Sequence, residues 1–334
     1  MGKGDDGQGP DSRARKTPFI HKMEKSTRNR VSLNSVVCPS YYVLSHANGC
    51  PYRCDYCCLQ LPLKNVRTPI VFANQEKLIE EVKAFLRRNE PQVLSAGESS
   101  DSLALKAHAR LFCRLIPLFA RQDEDRLFPK ERPHKLLLVT KSTNVEPLLA
   151  IEEKRHTVIS FSLNAPEVAA QYEHGAPHPF ERLKAAVACK QAGYEVRLRI
   201  DPILPVDQWQ QQYLPLIQLL RRELASSKDL GQTRITLGTI RHNPGLRDCA
   251  VRRGRKGSVF DAAVSQDGAD GRFRLPVEQR SQIYGWFTQE LESNASIALC
   301  KETNEVWQTV TGSPGSPGKP WTITSMTTPC NCAL

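Results

Sequence analysis

The chain has 334 residues and a formal net charge of +11, with 40% hydrophobic and 7% aromatic residues, an ordinary composition for a globular protein with a large core. No stretch approaches the roughly 18–20 uninterrupted apolar residues of a membrane span, and the first residues lack the apolar segment of a secretory signal, so we expect a soluble cytoplasmic protein. Eleven cysteines in such a protein argue against a disulfide framework and favour metal ligands, reactive thiols or small core residues.

The positive charge is concentrated in two segments. Residues 1–36 carry a net charge of +4 and residues 241–256 a net charge of +5, whereas the rest of the chain is nearly neutral. Basic segments of this kind suit an anionic partner, most often nucleic acid. Solvated flexible segments without a partner are an equally good interpretation of the pattern.

Beyond residue 36, apolar strands alternate with amphipathic helices. Residues 1–36 themselves are rich in Gly, Ser, Lys and Arg, and we predict a basic, largely disordered N-terminal arm. The elements predicted after it are, in chain order, a strand at 41–44, a helix at 75–88, a strand at 93–96, a helix at 103–121, strands at 135–140 and 158–162, a helix at 179–192, a strand at 196–200, a helix at 209–224 and a strand at 234–237.

This alternation predicts the fold class. Repeated strand–helix units imply parallel strands joined by right-handed crossovers. The predicted strands are fewer than the eight of a closed barrel, so residues 37–242 are expected to form an α/β domain, a partial (β/α)6 TIM-like barrel. Functional residues are expected at the C-terminal ends of its strands, where the following loops gather.

After residue 242 the alternation stops. Residues 243–271 are rich in Gly, Asp and Arg, which predicts a basic surface insertion with an exposed Cys249. Residues 272–310 are predicted to add a helix at 275–291 and a strand at 296–300. Residues 311–334 form a Gly/Pro/Ser tail carrying Cys330 and Cys332. For these two thiols a frayed end is the favoured interpretation, and a hydrogen donor or a second metal site are the alternatives.

Four cysteines fall within the nine residues CPYRCDYCC at 50–58. Cys50, Cys54 and Cys57 follow the first strand with C-x3-C-x2-C spacing, and Gly49 and Pro51 disfavour a helix there, so the segment should wrap as a loop. A disulfide, a zinc ion, an iron–sulfur cluster and no ligand are the possible interpretations. Zinc usually takes four ligands, commonly as two C-x2-C pairs, whereas three thiolates around one centre suit a cubane cluster with one open iron. The remaining thiols at positions 113 and 189 fall within helices and are predicted to be core residues.

The cysteine loop at the end of the first strand of a partial barrel resembles the radical S-adenosylmethionine (SAM) superfamily. The aromatic Tyr56 before the third cysteine is typical of that motif. The stretches CDYCCLQ, VTKSTNVEPLL, FSLNAPEV, ERLKAAVACKQAGY and DPILP look like spore photoproduct lyase and its relatives, over roughly residues 40–300. That family repairs a cross-linked thymine lesion in DNA by radical chemistry.

The resemblance implies two cofactors. A 4Fe–4S cluster would be bound by Cys50, Cys54 and Cys57, and its open iron would chelate the amino and carboxylate groups of SAM. One electron would cleave SAM into methionine and a 5′-deoxyadenosyl radical, which removes a hydrogen atom from the substrate. The resemblance also implies an electron donor of the reduced flavodoxin or ferredoxin type.

The same resemblance places Gly97, Glu98 and Lys141 in the SAM site. Gly97 and Glu98 end the second strand, where radical SAM enzymes carry a Gly-Gly-Glu-like segment that holds the SAM amino group. Lys141 matches a family lysine near the SAM carboxylate. Alternatively, Glu98 pairs with a nearby arginine and Lys141 is a surface residue after a strand.

Three further residues are assigned to cofactor binding by the match. Ser162 and Asn164 in FSLN correspond to family positions near the ribose and the carboxylate of SAM, and Asp201 in RIDPILP lies at the barrel mouth facing cofactor or substrate. Alternatively, Ser162 and Asn164 cap the following helix, and Asp201 is a turn residue before a proline.

The sequence departs from the lyases at the hydrogen-return step. The lyases carry a cysteine after the second strand, where this chain has Glu98, and a tyrosine after the third cluster cysteine, where it has Cys58. A carboxylate has no weak hydrogen to give to a carbon radical, whereas a thiol does. Two hypotheses follow: Cys58, with its neighbour Tyr56, is the relocated catalytic group, or the enzyme acts on a substrate that needs no thiol donor.

The basic residues predict a nucleic-acid contact. The candidates for phosphate binding are Arg241, Arg252, Arg253, Arg255 and Lys256. Tyr284 and Trp286 are candidates for stacking on a displaced base, although core packing of their helix is the favoured interpretation. Two alternative functions stay open: radical chemistry on a metabolite, peptide or RNA base, and a non-catalytic nucleic-acid-binding protein with a metal cluster.

Overall fold

The structure is a computed structural model that describes residues 11–23, 36–66, 68–123, 133–226, 233–291, 295–311, 330 and 332–333. The strands of these residues are β1 Asp11–Arg13, β2 Ile20–Met23, β3 Val36–Val37, β4 Tyr41–Leu44, β5 Ala47–Asn48, β6 Arg53–Cys54, β7 Ile70–Phe72, β8 Val93–Ser95, β9 Lys135–Thr140, β10 Thr157–Leu163, β11 Glu173–His174, β12 Glu195–Ile203, β13 Arg234–Thr239, β14 Arg241–His242, β15 Phe273–Arg274, β16 Ser296–Leu299 and β17 Glu302–Thr303. The α-helices are α1 Gln75–Leu86, α2 Lys106–Ala120, α3 Glu146–Leu149, α4 Pro166–Tyr172, α5 Pro179–Gln191, α6 Trp209–Ser226, α7 Leu246–Arg252, α8 Val277–Leu291 and α9 Asn304–Thr311.

The central sheet has the strand order β16-β13-β12-β10-β9-β8-β4-β2. Every neighbouring pair from β4 to β16 is parallel, and β2 joins the edge antiparallel to β4. The predicted α/β class with a partial barrel is confirmed, and no closed barrel is formed by the described strands. The strand predicted as part of a C-terminal extension, β16, instead continues the parallel sheet beside β13.

The helices cover the outer face of this sheet because their apolar positions form one stripe. In α1 the buried side chains are Leu78, Ile79, Val82 and Phe85, at helical spacing. Every residue of β10 is buried, as expected for a central parallel strand covered on both faces. The chain leaves α5 through Gly193 at φ +95°, a conformation that favours glycine, and this turn starts β12.

Residues 243–271, predicted as a surface insertion, contain α7 and a 3₁₀ turn at Gly257–Phe260. Leu246, Cys249 and Phe260 are buried in the main core, so the prediction of an exposed Cys249 is wrong. The Cys249 Sγ donates to the carbonyl of Gln60 at 3.1 Å. The segment therefore packs against the loop that carries the clustered cysteines.

The described part of the predicted N-terminal arm is folded. Residues 11–13 pair with β7, and residues 20–23 pair with β4. Phe19 between them is fully buried, and its backbone N–H donates to the Glu81 carboxylate at 2.7 Å. The rest of the predicted arm, and residues 312–329 of the predicted tail, lie outside the described residues.

The last described residues lie inside the partial barrel. Cys332 is 6% exposed and packs with Tyr41, Val43 and Val158 in a small apolar cluster. The interpretation of a frayed terminus with idle thiols is therefore wrong, because these apolar side chains cover the end of the chain. None of the helices in the described part of the chain has the length and apolar character of a transmembrane segment.

Candidate functional site

The cysteine loop lies at the C-terminal end of β4 and is fixed at both ends. The Gly49 N–H donates to the carbonyl of Ser99 at 3.0 Å, which joins the loop to the end of β8. Gly49 has φ +85°, and a Cβ there would lie 3.2 Å from Val66, so the turn requires glycine. Cys54 belongs to β6, which pairs antiparallel with β11.

Cys50, Cys54 and Cys57 line one cavity of about 90 Å³. Burial raises the pKa of the Cys50 and Cys57 thiols to about 12, and the charges of neighbouring thiolates act in the same direction. Burial likewise raises the pKa of Cys54, where Cys57 adds its charge. The three thiols would therefore ionise together only if a cationic centre bound them.

Backbone groups around the cavity favour the thiolate forms. The backbone groups of Asp101 and Tyr52 hydrogen-bond to Cys50, and the backbone of Leu59 hydrogen-bonds to Cys57. Hydrogen bonds to ligating sulfurs are a known means of tuning iron–sulfur clusters. This donor set fits a cluster held by three thiolates.

A single metal ion fits the site less well. Among the described residues, no three His, Cys, Asp or Glu side chains converge as ligands of one ion. Zinc requires such convergence at about 2.0–2.3 Å, whereas a cubane binds each thiolate through a different iron and holds the sulfurs farther apart. The choice between the two rests on the donor set, because zinc usually takes four ligands whereas three thiolates suit a cubane cluster.

The thiol of Cys58 faces different surroundings from those of the other three cysteines. Cys58 is exposed, whereas Cys50 and Cys57 are half-buried and Cys54 is buried. Burial and the charge of Glu98 raise the pKa of Cys58, while Lys301 and Arg272 lower it. Cys58 and Glu98, the two positions at which the sequence departs from the lyases, are thus neighbours at the barrel mouth.

The segment after β8 offers polar groups to a ligand. Glu98 accepts a hydrogen bond from the Tyr41 hydroxyl at 3.0 Å, and no arginine of the described residues forms an ion pair with it. In the described part of the chain, the buried hydroxyls of Ser95, Ser99 and Ser100 have no hydrogen-bond partner. Unpartnered buried hydroxyls are costly, so this segment suits a polar ligand such as the amino acid part of SAM.

Replacing Gly97 by alanine is expected to damage this segment. The new Cβ would lie 2.4 Å from the Val139 Cβ, so β8 and β9 must separate at the cost of about 1–3 kcal/mol of unfolding free energy. Urea unfolding measures the loss, and Gly97→Ala should cost less in a Val139→Gly background, which lacks the Cβ at 2.4 Å, than it costs in the parent. Equal stabilities of the single variant and the parent would show that the close approach is absent.

Asp101 ties the cysteine loop to the end of β9. Its carboxylate accepts hydrogen bonds from the Thr140 hydroxyl at 2.7 Å and from the Lys141 N–H at 2.6 Å. Burial raises the pKa of Asp101, although these hydrogen bonds oppose the shift. The Lys141 Nζ is 5.8 Å from the Tyr56 ring centroid and 4.0 Å from Glu173, so the side chain turns inwards, not to the surface.

Glu173 is the centre of a buried network behind the cysteine loop, and the sequence did not indicate it. It accepts hydrogen bonds from the Tyr56 hydroxyl and, at 3.1 Å, from the Asn164 amide. Its other oxygen pairs with Arg182 at 2.5 Å. Burial alone would raise the pKa of Glu173, but Lys141 and Arg182 outweigh it and hold the pKa below its usual range. The hydroxyl of Tyr56 is thus occupied in holding the loop.

Asp201 and Ser162 lie at the ends of β12 and β10. Asp201 receives two hydrogen bonds of 3.0 Å from Arg241, whose charge holds the pKa of Asp201 well below its usual range against the opposing effect of burial. This ion pair holds the Arg241 guanidinium at the strand end, and its contact with a substrate phosphate stays a prediction. Ser162 is buried, and its carbonyl accepts from Arg182 at 3.1 Å.

The other predicted nucleic-acid contacts divide into two groups. Arg253 donates to the carbonyls of Leu63 and Val66 at 2.8 and 2.9 Å, so it supports the cysteine loop. Arg252 and Lys256 are exposed, and Arg255 lines the cysteine cavity.

The two aromatic candidates for base stacking belong to the core. Tyr284 is fully buried and donates to Glu302 at 2.6 Å, and Trp286 packs edge-on against Trp209 with ring centroids 5.2 Å apart. The favoured interpretation of core packing is confirmed for Tyr284, and its stacking on a base is excluded by this burial.

Comparison with known proteins supports the interpretation of the site. The family model for spore photoproduct lyase matches residues 19–246. The spore photoproduct lyase of Clostridium acetobutylicum is 23% identical over 203 residues, and that of Bacillus subtilis (strain 168) is 27% identical over 203 residues. Each match covers 60% of this chain and 56% of the relative, so the chain spans just over half the length of these relatives.

Solved structures show the same fold. A spore photoproduct lyase complexed with dinucleoside spore photoproduct superposes with a TM-score of 0.67 at 21% identity, covering 78% of this chain and 76% of the other. A double mutant of that enzyme with bound AdoMet and dinucleoside spore photoproduct gives a TM-score of 0.69 at 20% identity, covering 86% and 80%.

Proposed function

The chain belongs to the spore photoproduct lyase family of radical SAM enzymes, and from this membership we propose that it cleaves SAM by one-electron reduction and acts on a thymine lesion in DNA. The observation that carries the proposal is the convergence of Cys50, Cys54 and Cys57 on one cavity, with backbone groups that favour their thiolates. We further propose a cytoplasmic enzyme with reduced flavodoxin or ferredoxin as electron donor.

The three thiolates would hold a 4Fe–4S cluster. When bound, it supplies the electron that splits SAM into methionine and a 5′-deoxyadenosyl radical. The chain's own part is to hold the ligands rigidly: Glu173 anchors Tyr56, and Asp101 fixes Cys50 relative to β9. The inward-facing Lys141 adds a positive charge, which lowers the pKa of Cys54 and Cys57 and so opposes the effect of burial.

Residues at the strand ends would bind SAM. Glu98 and the unpartnered hydroxyls after β8 suit its ammonium group, and Lys141 suits its carboxylate. Ser162 lies at the end of β10, where it would face the ribose. Asn164 and Asp201 would position neighbouring side chains of the site. Asn164 hydrogen-bonds to Glu173 and Tyr213. Asp201 forms an ion pair with Arg241.

DNA would contact the exposed basic residues beside the cysteine loop. Arg252 and Lys256 are exposed and Arg255 is half-buried, so their charges can reach phosphates. Such contacts position the duplex without reading its sequence. Extruding a cross-linked thymine pair from the duplex into the barrel mouth costs less free energy than extruding an intact pair.

Cys58 would return the hydrogen atom to the product radical. Its thiol is accessible at the mouth and lies near Glu98, the position at which the lyases carry their donor cysteine. A thiol S–H breaks as the product C–H forms, leaving a sulfur radical.

The test is anaerobic reaction of the reconstituted protein with SAM, a reductant and DNA that carries the spore photoproduct. We expect 5′-deoxyadenosine and repaired thymines. The Cys58→Ala variant should still form 5′-deoxyadenosine while thymine recovery falls by at least about tenfold and products of unquenched radicals accumulate. Cys113→Ala is the matched control, because that thiol lies on α2 and contacts a carbonyl outside the loop.

The outcomes separate two candidate functions. The carboxylate at position 98 favours a second candidate, the same radical chemistry on a substrate that needs no hydrogen returned. SAM cleavage with every lesion left intact would overturn DNA repair and support this candidate. Absence of SAM cleavage in a protein that contains iron and sulfide would overturn both.

A further inference from the structure

The interior of the partial barrel contains a pair of cysteines that the proposed reaction does not use. Cys330 and Cys332 are separated by one residue, and the Ala333 N–H donates to the Cys330 carbonyl at 3.0 Å, which closes a tight turn. Both cysteines pack on the same small apolar cluster. The turn and this shared contact thus place the two thiols beside each other.

Three arginines of two neighbouring strands hold this turn. From β12, Arg197 donates to the Ala333 carbonyl at 2.6 Å and Arg199 donates to the Cys332 Sγ at 3.3 Å. From β13, Arg234 donates to the Cys330 carbonyl at 3.4 Å. The sulfur of Cys332 therefore lies buried directly against a guanidinium group, which stabilises a negative charge on it.

A metal ion does not fit these thiols, although two more cysteines, Cys38 and Cys300, lie close to them. Arg241 donates to the Cys300 Sγ at 3.3 Å, as Arg199 does to Cys332, so cations already face these sulfurs. Among the described residues, no three such side chains converge on one point. This arrangement disfavours the second metal site that the sequence left open.

The two thiols are chemically unequal. The hydrogen bond from Cys330 and the charge of Arg199 lower the pKa of Cys332 to about 6, against the opposing effect of burial. The same hydrogen bond and burial raise the pKa of Cys330. At neutral pH the pair is a thiolate beside a thiol, the protonation state of a reactive dithiol.

We propose that Cys330 and Cys332 are a redox-active dithiol that closes to a disulfide inside the barrel by exchange with a low-molecular-weight disulfide. The Cys332 thiolate attacks one sulfur of the reagent, whose S–S bond breaks and releases one thiolate. Cys330 then gives up its proton and attacks the Cys332 sulfur, which releases the second thiol. Two electrons pass from the protein to the reagent, which leaves as two thiols. This inference goes beyond the proposed function and does not depend on it.

The test uses the full-length holoenzyme under nitrogen with hydroxyethyl disulfide as the reagent. Free thiols are alkylated at intervals after denaturation, and the tryptic peptide 302–334 is weighed, because it contains Cys330 and Cys332 and no other cysteine. We expect this peptide to escape alkylation at both cysteines, and to weigh two hydrogen atoms less than its unalkylated reduced form, before Cys113 reacts. Addition of dithiothreitol should restore the reduced form of the peptide. In Cys330→Ser, Cys332 should stop at the mixed disulfide.

Variants of Arg199 test whether its charge controls the rate of disulfide formation. Arg199→Gln should slow disulfide formation by at least about tenfold at pH 7, because the thiolate fraction falls, and a higher pH should restore the rate. Arg199→Lys, which keeps the charge, should react like the parent. The proposal is overturned if peptide 302–334 stays reduced while Cys113 reacts, or if the rate is the same in the native protein, in Arg199→Gln and in guanidinium-unfolded protein. Thermal unfolding of each variant confirms that it is folded.

Discussion

Replacing any one of Cys50, Cys54 and Cys57 by alanine is expected to reduce 5′-deoxyadenosine formation to the level of a blank without enzyme. These three thiols line one cavity, and the described residues that line it with them include no fourth His, Cys, Asp or Glu to take over a lost ligand. A cluster with two protein ligands would be released or degraded on reduction. Iron and sulfide analysis, the spectrum of the reduced cluster and chromatography of the nucleoside measure the effect.

Two controls make this prediction specific. Cys113→Ala, on α2, should keep full iron content and full SAM cleavage, because its thiol contacts the Pro147 carbonyl outside the loop. Cys58→Ala should also keep its cluster, although it lies next to Cys57. Nucleoside formation that persists in any of the three loop variants would overturn the assignment of the ligands.

Replacing Glu173 by alanine is expected to destabilise the protein by about 3–5 kcal/mol, because it leaves the fully buried Arg182 without its partner. The Tyr56 hydroxyl and the Asn164 amide lose the same acceptor. Urea unfolding of the cluster-free protein measures the loss directly. Because the pKa of Glu173 is lowered in the folded state, this stability is present at neutral pH and is lost as the pH falls through the folded pKa.

Glu167→Ala is the matched control for this prediction. It removes an exposed carboxylate from the first turn of α4, only six residues before Glu173, and should cost less than about 1 kcal/mol. The loss of unfolding free energy in Glu173→Gln should lie between those of the two alanine variants. The amide can still accept hydrogen bonds, but it leaves the guanidinium charge uncompensated. Equal stability of Glu173→Ala and Glu167→Ala would show that the buried ion pair is absent.

The sequence predicted the barrel strands well because their pattern is local. The prediction of a strand at 135–140 is confirmed as Lys135–Thr140, and the predicted strand at 234–237 appears as Arg234–Thr239. The first has a run of consecutive apolar residues and the second alternates β-branched and apolar residues, and both patterns mark a strand. The cysteine spacing was equally local, since all its members fall within nine residues.

The parts of the site that the sequence did not reveal depend on contacts between distant residues. Glu173 is 117 residues from Tyr56 along the chain, and Cys332 is 133 residues from Arg199. A buried carboxylate is recognisable only through its partners, and a polar sequence such as residues 243–271 gives no sign that a few of its side chains reach the core. The interpretation of the last cysteines as a frayed end was wrong for this reason.

The antiparallel pairing of β6 with β11 joins Cys54 directly to Glu173, so one of the presumed iron ligands is part of a backbone ladder. Classical zinc fingers acquire their shape only when metal binds, because nothing else gathers their ligands. Here hydrogen bonds and an ion pair also hold the sulfur-bearing loop. The consequence we expect is an order of maturation in which the polypeptide folds first and the inorganic centre binds afterwards.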